Sequence, residues 1–295
     1  MAELKFRRIE ISDGKTAREY LAKSNFRGCE YTFGNNFVWR NVYNNEICFA
    51  EGFYFIKNGI GGKTRFIYPV GNGDMKTAVG LLEEYCAENN IPLIMYANKE
   101  TAQRLTETYH AKAVFNRDIS DYVYLAEDLE NLAGKKYHGK RNHLNRFYEN
   151  DWSFEPLTAD NIGECRAMND RWRSENICEM SDAAESKREE LCIVECSFKH
   201  YDELGYTGGV LRVNGEVQAF TFGERSSEDC FVVHVEKALR EFQGAYTAVN
   251  REFVKSLGGK YKYINREEDT GSEGLRKAKL SYHPVFLEEK FVITF

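Results

Sequence analysis

Apolar and polar positions alternate on both sides of Asn214-Gly215. That pattern predicts strands over 210–213 and 216–222 joined by a type I′ turn. Around this hairpin the second half predicts a short strand over 152–157 and helices over 160–175 and 182–204. The second of these is N-capped by Ser181 or Asp182. A third strand follows over 230–238, then a helix over 246–257 that stops at Gly258-Gly259. A strand over 261–267, a helix over 270–281 and a strand over 285–294 complete the chain.

The first half repeats this order more loosely. Strands are expected over 5–11, 47–56, 64–69, 92–97 and 121–125, with helices over 15–23, 33–42, 74–89 and 99–109. Hairpin-joined strands are antiparallel, whereas strand–helix–strand passages need crossovers. Each half therefore predicts a mixed sheet flanked by helices, an α+β (mixed α/β) class. Two domains follow, 1–130 and 131–295, each with its own sheet, and the 261–267 strand is expected parallel to 230–238.

Composition narrows the classes. The chain has 295 residues, 42% of them hydrophobic and 14% aromatic, which is ample for packed cores. Its 40 Lys+Arg against 46 Asp+Glu give −6, which argues against a chain that coats nucleic acid but permits a local basic patch. No run approaches the ~18–20 apolar residues of a membrane span. Eight cysteines without a CxxC pair point to reduced thiols and a cytoplasmic protein. No Gly-x-Ser-x-Gly elbow, Walker loop or His-Glu-x-x-His is present.

Three segments carry a family resemblance: Phe33-Gly34-Asn35-Asn36-Phe37-Val38-Trp39-Arg40, the basic run over 135–147, and Tyr263-Ile264-Asn265-Arg266-Glu267-Glu268-Asp269-Thr270-Gly271 with its continuation to Pro284. Together with the element order they resemble the C-terminal domain of phosphatidylglycerol lysyltransferase, within the GNAT superfamily of acyltransferases. The resemblance implies tandem GNAT-like domains like those of the Fem-type transferases, which take an amino acid from aminoacyl-tRNA. The expected function is aminoacyl transfer to an amine or hydroxyl on a small molecule, peptide or lipid headgroup. The alternatives are acetyl-coenzyme A as donor, or a catalytically silent binding protein. GNAT enzymes hold a pyrophosphate at a Gln/Arg-x-x-Gly-x-Gly/Ala loop opening a helix. The corresponding stretch here is Arg240–Tyr246, where only Gly244 matches; Gly71-Asn72-Gly73-Asp74 is its first-half counterpart, with Asp74 reading as an N-cap.

An amine that attacks a carbonyl must lose a proton. Strict alternation along 230–238 puts Cys230, Val232, His234 and Glu236 on one face, which makes Glu236 the first candidate base and His234 the second. Glu267, Glu268 and Asp269 form a carboxylate cluster suited to a cationic amine, next to Arg276, Lys279 and Tyr282 of the same segment. Thr270 and Glu273 fit a capping box. Lys136, Lys140 and Arg141 are expected to meet phosphate or tRNA. Cys192, Cys196 and His200 recur every four residues, a spacing that core packing explains, and no metal is expected.

Overall fold

The computed structural model describes residues 3–177 and 184–295; the expected caps Ser181 and Asp182 lie outside them. The first half runs β1 (Arg7–Arg8), α1 (Gly14–Ser24), α2 (Phe33–Val38), β2 (Glu46–Ala50), β3 (Phe53–Ile60), β4 (Lys63–Gly71), α3 (Met75–Glu88), β5 (Ile94–Asn98), α4 (Lys99–Tyr109) and β6 (Lys112–Leu125). The second runs α5 (Ala126–Asn131), α6 (His138–Phe147), β7 (Trp152–Pro156), α7 (Ile162–Ile177), α8 (Ala184–Lys199), β8 (Thr207–Val213), β9 (Glu216–Arg225), β10 (Cys230–Ala238), α9 (Ala245–Ser256), β11 (Tyr263–Asn265), α10 (Glu273–Leu280) and β12 (Phe286–Thr294).

The strands lie in the order β1-β2-β3-β4-β5-β12-β6-β11-β10-β9-β8-β7. The two-fold repeat is visible in that order. β4 and β5 pair parallel, as do β10 and β11, and every other neighbouring pair is antiparallel. The expected mixed α+β architecture is present, but the expectation of two separate sheets is not met. Each half sends its last strand into the other's territory: β12 sits between β5 and β6, and β6 lies between β12 and β11. This exchange joins the halves into one continuous 12-stranded sheet. One face carries a core shared by α1, α2, α7 and α8, including Phe33, Phe37, Met168, Phe198, Phe220 and Phe222.

Local chemistry explains where elements start and stop. Asn214 (φ 51°) and Gly215 (φ 83°) make the predicted tight turn between β8 and β9. The strand expected over 47–56 is instead a hairpin, because Glu51 (φ 47°) and Gly52 (φ 77°) reverse the chain between β2 and β3. The last helix begins later than expected. Thr270 (φ 49°) and Gly271 (φ 81°) form a left-handed turn, and Ser272 caps α10 by accepting from Leu275 N at 3.5 Å. The Thr270–Glu273 capping box therefore does not form.

Candidate functional site

The parallel ladder between β10 and β11 covers only Cys230–Val232 against Tyr263–Asn265, and β10 runs on to Ala238 past the end of β11. The resulting opening holds the polar cluster. Glu236 Oε1 accepts from Arg266 Nη2 at 2.7 Å, and its Oε2 accepts from Asn250 Nδ2 of α9 at 2.9 Å. The two charged side chains are only 10% and 13% exposed. Each partner of Glu236 keeps one buried atom without a hydrogen bond: Arg266 Nη1 and Asn250 Oδ1. Buried polar atoms are rarely left that way, so the two partners of Glu236 leave one unmet donor and one unmet acceptor.

Lys140 reaches this opening from α6. Its Nζ lies 3.7 Å from the centre of the Tyr282 ring, and the Arg266 guanidinium lies 4.7 Å from the same ring. Burial, reinforced by the neighbouring Arg266 and opposed by Glu236, lowers the Lys140 ammonium to about 8. Tyr282 is buried and donates to Thr247 Oγ1 at 3.3 Å. Lys279 donates to the backbone carbonyls of Arg266 and of Glu267, the latter at 3.1 Å, and so fixes the chain that carries Arg266.

His234 and Glu236 do not share a face. A bulge between Val233 and Val235 adds one residue to β10 opposite β9, which shifts the alternation beyond it. His234 therefore packs 5.5 Å from the Tyr206 ring on the side of the shared core, while Glu236 turns toward α9. Both imidazole nitrogens are occupied: Nδ1 is 2.7 Å from Glu267 Oε1 and Nε2 is 3.1 Å from Glu224 Oε1. Burial disfavours the charged ring, but the hydrogen bonds to Glu224 and Glu267 outweigh it and raise His234 to about 9. At neutral pH it is an imidazolium clamped between two carboxylates, with no lone pair for a proton.

The three consecutive carboxylates point three ways. Glu267 faces His234. Glu268 turns to a buried cluster in which Lys290 Nζ lies 2.7 Å from Asp121, 2.8 Å from Glu30 and 3.3 Å from Cys29 Sγ. Among the described residues Cys29, Glu30 and Asp121 are the group spaced for a metal ion, and the ammonium of Lys290 sits against all three. Burial raises Glu268 to about 7 despite Lys290. Asp269 accepts from Arg276 Nε at 2.8 Å, from Tyr122 Oη at 2.5 Å and from Gly271 N at 2.9 Å, which ties the turn before α10 to β6. The Arg276 hydrogen bond holds its carboxyl well below the usual range, against the opposing effect of burial.

Lys136, Arg141 and Arg146 of the basic run each have a partner within the molecule, while Lys135, Lys136, His138, His143 and Arg146 stay exposed. Lys136 pairs with Asp128 at 3.0 Å, and Arg141 donates to the carbonyls of Leu132 and Gly134 at 2.5 and 2.7 Å. Gly244 (φ 95°) opens α9, and a Cβ there would lie 2.2 Å from the His143 carbonyl oxygen of α6. α6 is tied to the same loop by Arg146 donating to Gln243 at 2.8 Å. In the first half Asp74 caps α3, accepting from Lys76 N and Thr77 N at 3.4 and 3.2 Å. Cys196 and His200 are taken up separately: Cys196 Sγ accepts from Arg40, and His200 meets Glu203.

Among the described residues, the first-half counterpart where β4 outruns β5 shows no such polar cluster. Tyr68, Val70 and Ala97 there are buried in apolar core. Asn250 escaped sequence reasoning, although a trace exists. It is a lone amide among Ala248, Val249, Phe253 and Val254 on the buried side of α9, where a polar side chain needs a partner.

Comparison with known proteins places this geometry in a family. A conserved protein of unknown function from Bacteroides thetaiotaomicron is 36% identical, with a TM-score of 0.93 over 99% of each chain. The C-terminal domain of a putative lysylphosphatidylglycerol synthetase from Agrobacterium fabrum matches in fold, with 14% identity and a TM-score of 0.68 over 96% of this chain and 91% of that one. L-PGS from Bacillus licheniformis gives 15% and 0.66 over the same shares. An uncharacterized protein of Mycoplasmoides gallisepticum is 22% identical over 185 residues, 61% of this chain and 58% of that protein, so the match spans less than two thirds of that relative. The family model described as phosphatidylglycerol lysyltransferase, C-terminal, matches residues 21–294. The chain belongs to that family, and its fold is the mixed α+β architecture of those C-terminal domains.

Proposed function

We propose that this protein is an acyltransferase that moves an aminoacyl group from tRNA to an amine or hydroxyl acceptor in the opening between β10 and β11. The observation that carries this reading is the pair of unmet atoms beside Glu236: Arg266 Nη1, a donor, and Asn250 Oδ1, an acceptor. An aminoacyl ester offers a carbonyl oxygen for the first and an α-amino N–H for the second. An acetyl group has no N–H donor.

The chemistry follows from the charges. The acceptor's nucleophile adds to the ester carbonyl, its proton passes to the Glu236 carboxylate, and the negative charge on the carbonyl oxygen falls to Arg266 and Lys140. Collapse of the adduct expels the ribose hydroxyl of the tRNA, which regains the proton. His234 does not take part as a base; it holds Glu267, and with it the start of the loop after Arg266.

Coenzyme A fits poorly at either pyrophosphate loop. The Asp74 carboxylate caps the helix N-terminus in the first half, and the α6 backbone closes on Gly244 in the second. A carboxylate or a carbonyl oxygen at these positions repels phosphate. The test is thermal stabilisation by ligands. Charged tRNA is expected to raise the melting temperature and acetyl-coenzyme A to leave it unchanged. Stabilisation by acetyl-coenzyme A alone would favour the acetyltransferase alternative, and by neither the silent one.

A further inference from the structure

The segment that follows the first family-like motif builds a second polar pocket, in the first half of the chain, that the proposed reaction does not use. It has a volume of about 250 Å³ and is lined by Arg8, Arg40, Asn41, Asn44, Asn45 and Glu46. Arg8 comes from β1 at the sheet edge, and Arg40 to Asn45 from the turn between α2 and β2. Among the described residues neither arginine has a carboxylate partner. Arg8 contacts the Asn41 side chain, and Arg40 lies 3.7 Å over the Phe37 ring while donating to the Phe37 carbonyl at 2.6 Å. Glu46 is paired with Lys57 at 2.5 Å, so the pocket as a whole is short of negative charge within a protein of net charge −6.

Asn45 adds the opposite requirement. It is 4% exposed, and its Nδ2 donates to the Asn36 carbonyl at 2.8 Å, which fixes the orientation of the amide. Its Oδ1 is then a buried acceptor without a donor. Bare phosphate or a plain dicarboxylate would meet the arginines and leave Asn45 unmet. A molecule that carries a carboxylate and an N–H donor within a few ångströms of each other meets both.

We propose that this pocket binds a free α-amino acid, its carboxylate on Arg8 and Arg40 and its α-ammonium on Asn45 Oδ1. A volume of about 250 Å³ accommodates one amino acid. The site is separate from the Glu236 opening and does not depend on the reaction assigned there.

Calorimetric titration of the full chain reads binding, and the Arg8→Gln variant assigns it to this pocket rather than to the Glu236 opening. The probes are the twenty amino acids one at a time, with inorganic phosphate and succinate as anions lacking an N–H. At least one amino acid should bind at one site per chain, and phosphate and succinate should not. Arg8→Gln, at an exposed position, should weaken that binding by about tenfold or more, the loss of one charge-assisted hydrogen bond, without lowering the melting temperature. Three results would overturn the proposal: no amino acid binding at about 10 mM, phosphate or succinate binding as tightly as any amino acid, or binding indifferent to Arg8→Gln.

Discussion

Arg266 Nη2 meets Glu236 Oε1 at 2.7 Å across the opening that β10 leaves when it outruns β11. Everything else in the candidate site is arranged around that contact. Asn250 takes the second carboxylate oxygen, Lys279 donates to the carbonyls of Arg266 and Glu267, and Tyr282 lies under both Arg266 and Lys140.

Glu236→Gln keeps a hydrogen-bond acceptor for Arg266 but removes the charge and the proton acceptor. Turnover per folded molecule should fall by roughly 10²–10⁴ with the Michaelis constant little changed. A drop in melting temperature should accompany it, since buried Arg266 loses its counter-charge. Wild-type turnover would remove Glu236 from the proton transfer.

In the proposed reaction, Lys140 should set the alkaline limit. With its ammonium at about 8, the positive charge that faces the developing oxyanion is lost as pH rises through that value. The rate should fall correspondingly, and Lys140→Arg should move the fall out of the accessible range. A rate that instead rises through pH 8 and loses the rise in Lys140→Arg would make Lys140 the base.

His234 links stability to pH. Its folded value of about 9 lies above the ordinary 6.5, so its contribution is fully present below pH 6.5 and is lost as pH rises through 9. The shift corresponds to at most about 3 kcal/mol. His234→Gln should be much less stable than wild type at pH 6, and the difference should shrink by pH 9.5 in denaturant melts. A constant difference across that range would mean the ring is neutral in the folded protein.

Gly244 and Gly34 are close-approach glycines. A Cβ on Gly34 would lie 2.3 Å from Glu224 Oε1 and 2.5 Å from the Tyr206 hydroxyl, and Gly244 also holds a positive φ. Gly244→Ala should cost about 2–4 kcal/mol, the left-handed backbone and the clash with α6 adding together. Chemical denaturation measures it, and an unchanged midpoint would show that α6 can lift away from α9.

The hairpin at Asn214-Gly215 was legible because two residues with positive φ are written into the sequence, and the parallel placement of β11 beside β10 because a helix intervenes. The exchange of β6 and β12 was not, since pairing between residues as far apart as Lys112 and Thr294 leaves no local trace. Glu236 was visible by its position on β10. Its separation from His234 was hidden by one bulged residue, which no periodicity argument registers. The scattering of Glu267, Glu268 and Asp269 has the same origin: φ of +58° at Glu267 turns neighbouring side chains to different partners. Arg266 and Asn250 gained their meaning only when the fold set them on the two oxygens of Glu236.

The aminoacyl assignment rests on a carbonyl oxygen and an α-amino N–H being read together. Filter binding of one tRNA in three states tests this: uncharged, charged, and charged with its α-amino group acetylated. The charged form should bind most tightly, and acetylation, which removes the ammonium and crowds Asn250, should weaken it about tenfold or more toward the uncharged value. Equal affinity for all three states would contradict the assignment and leave the opening without an aminoacyl substrate.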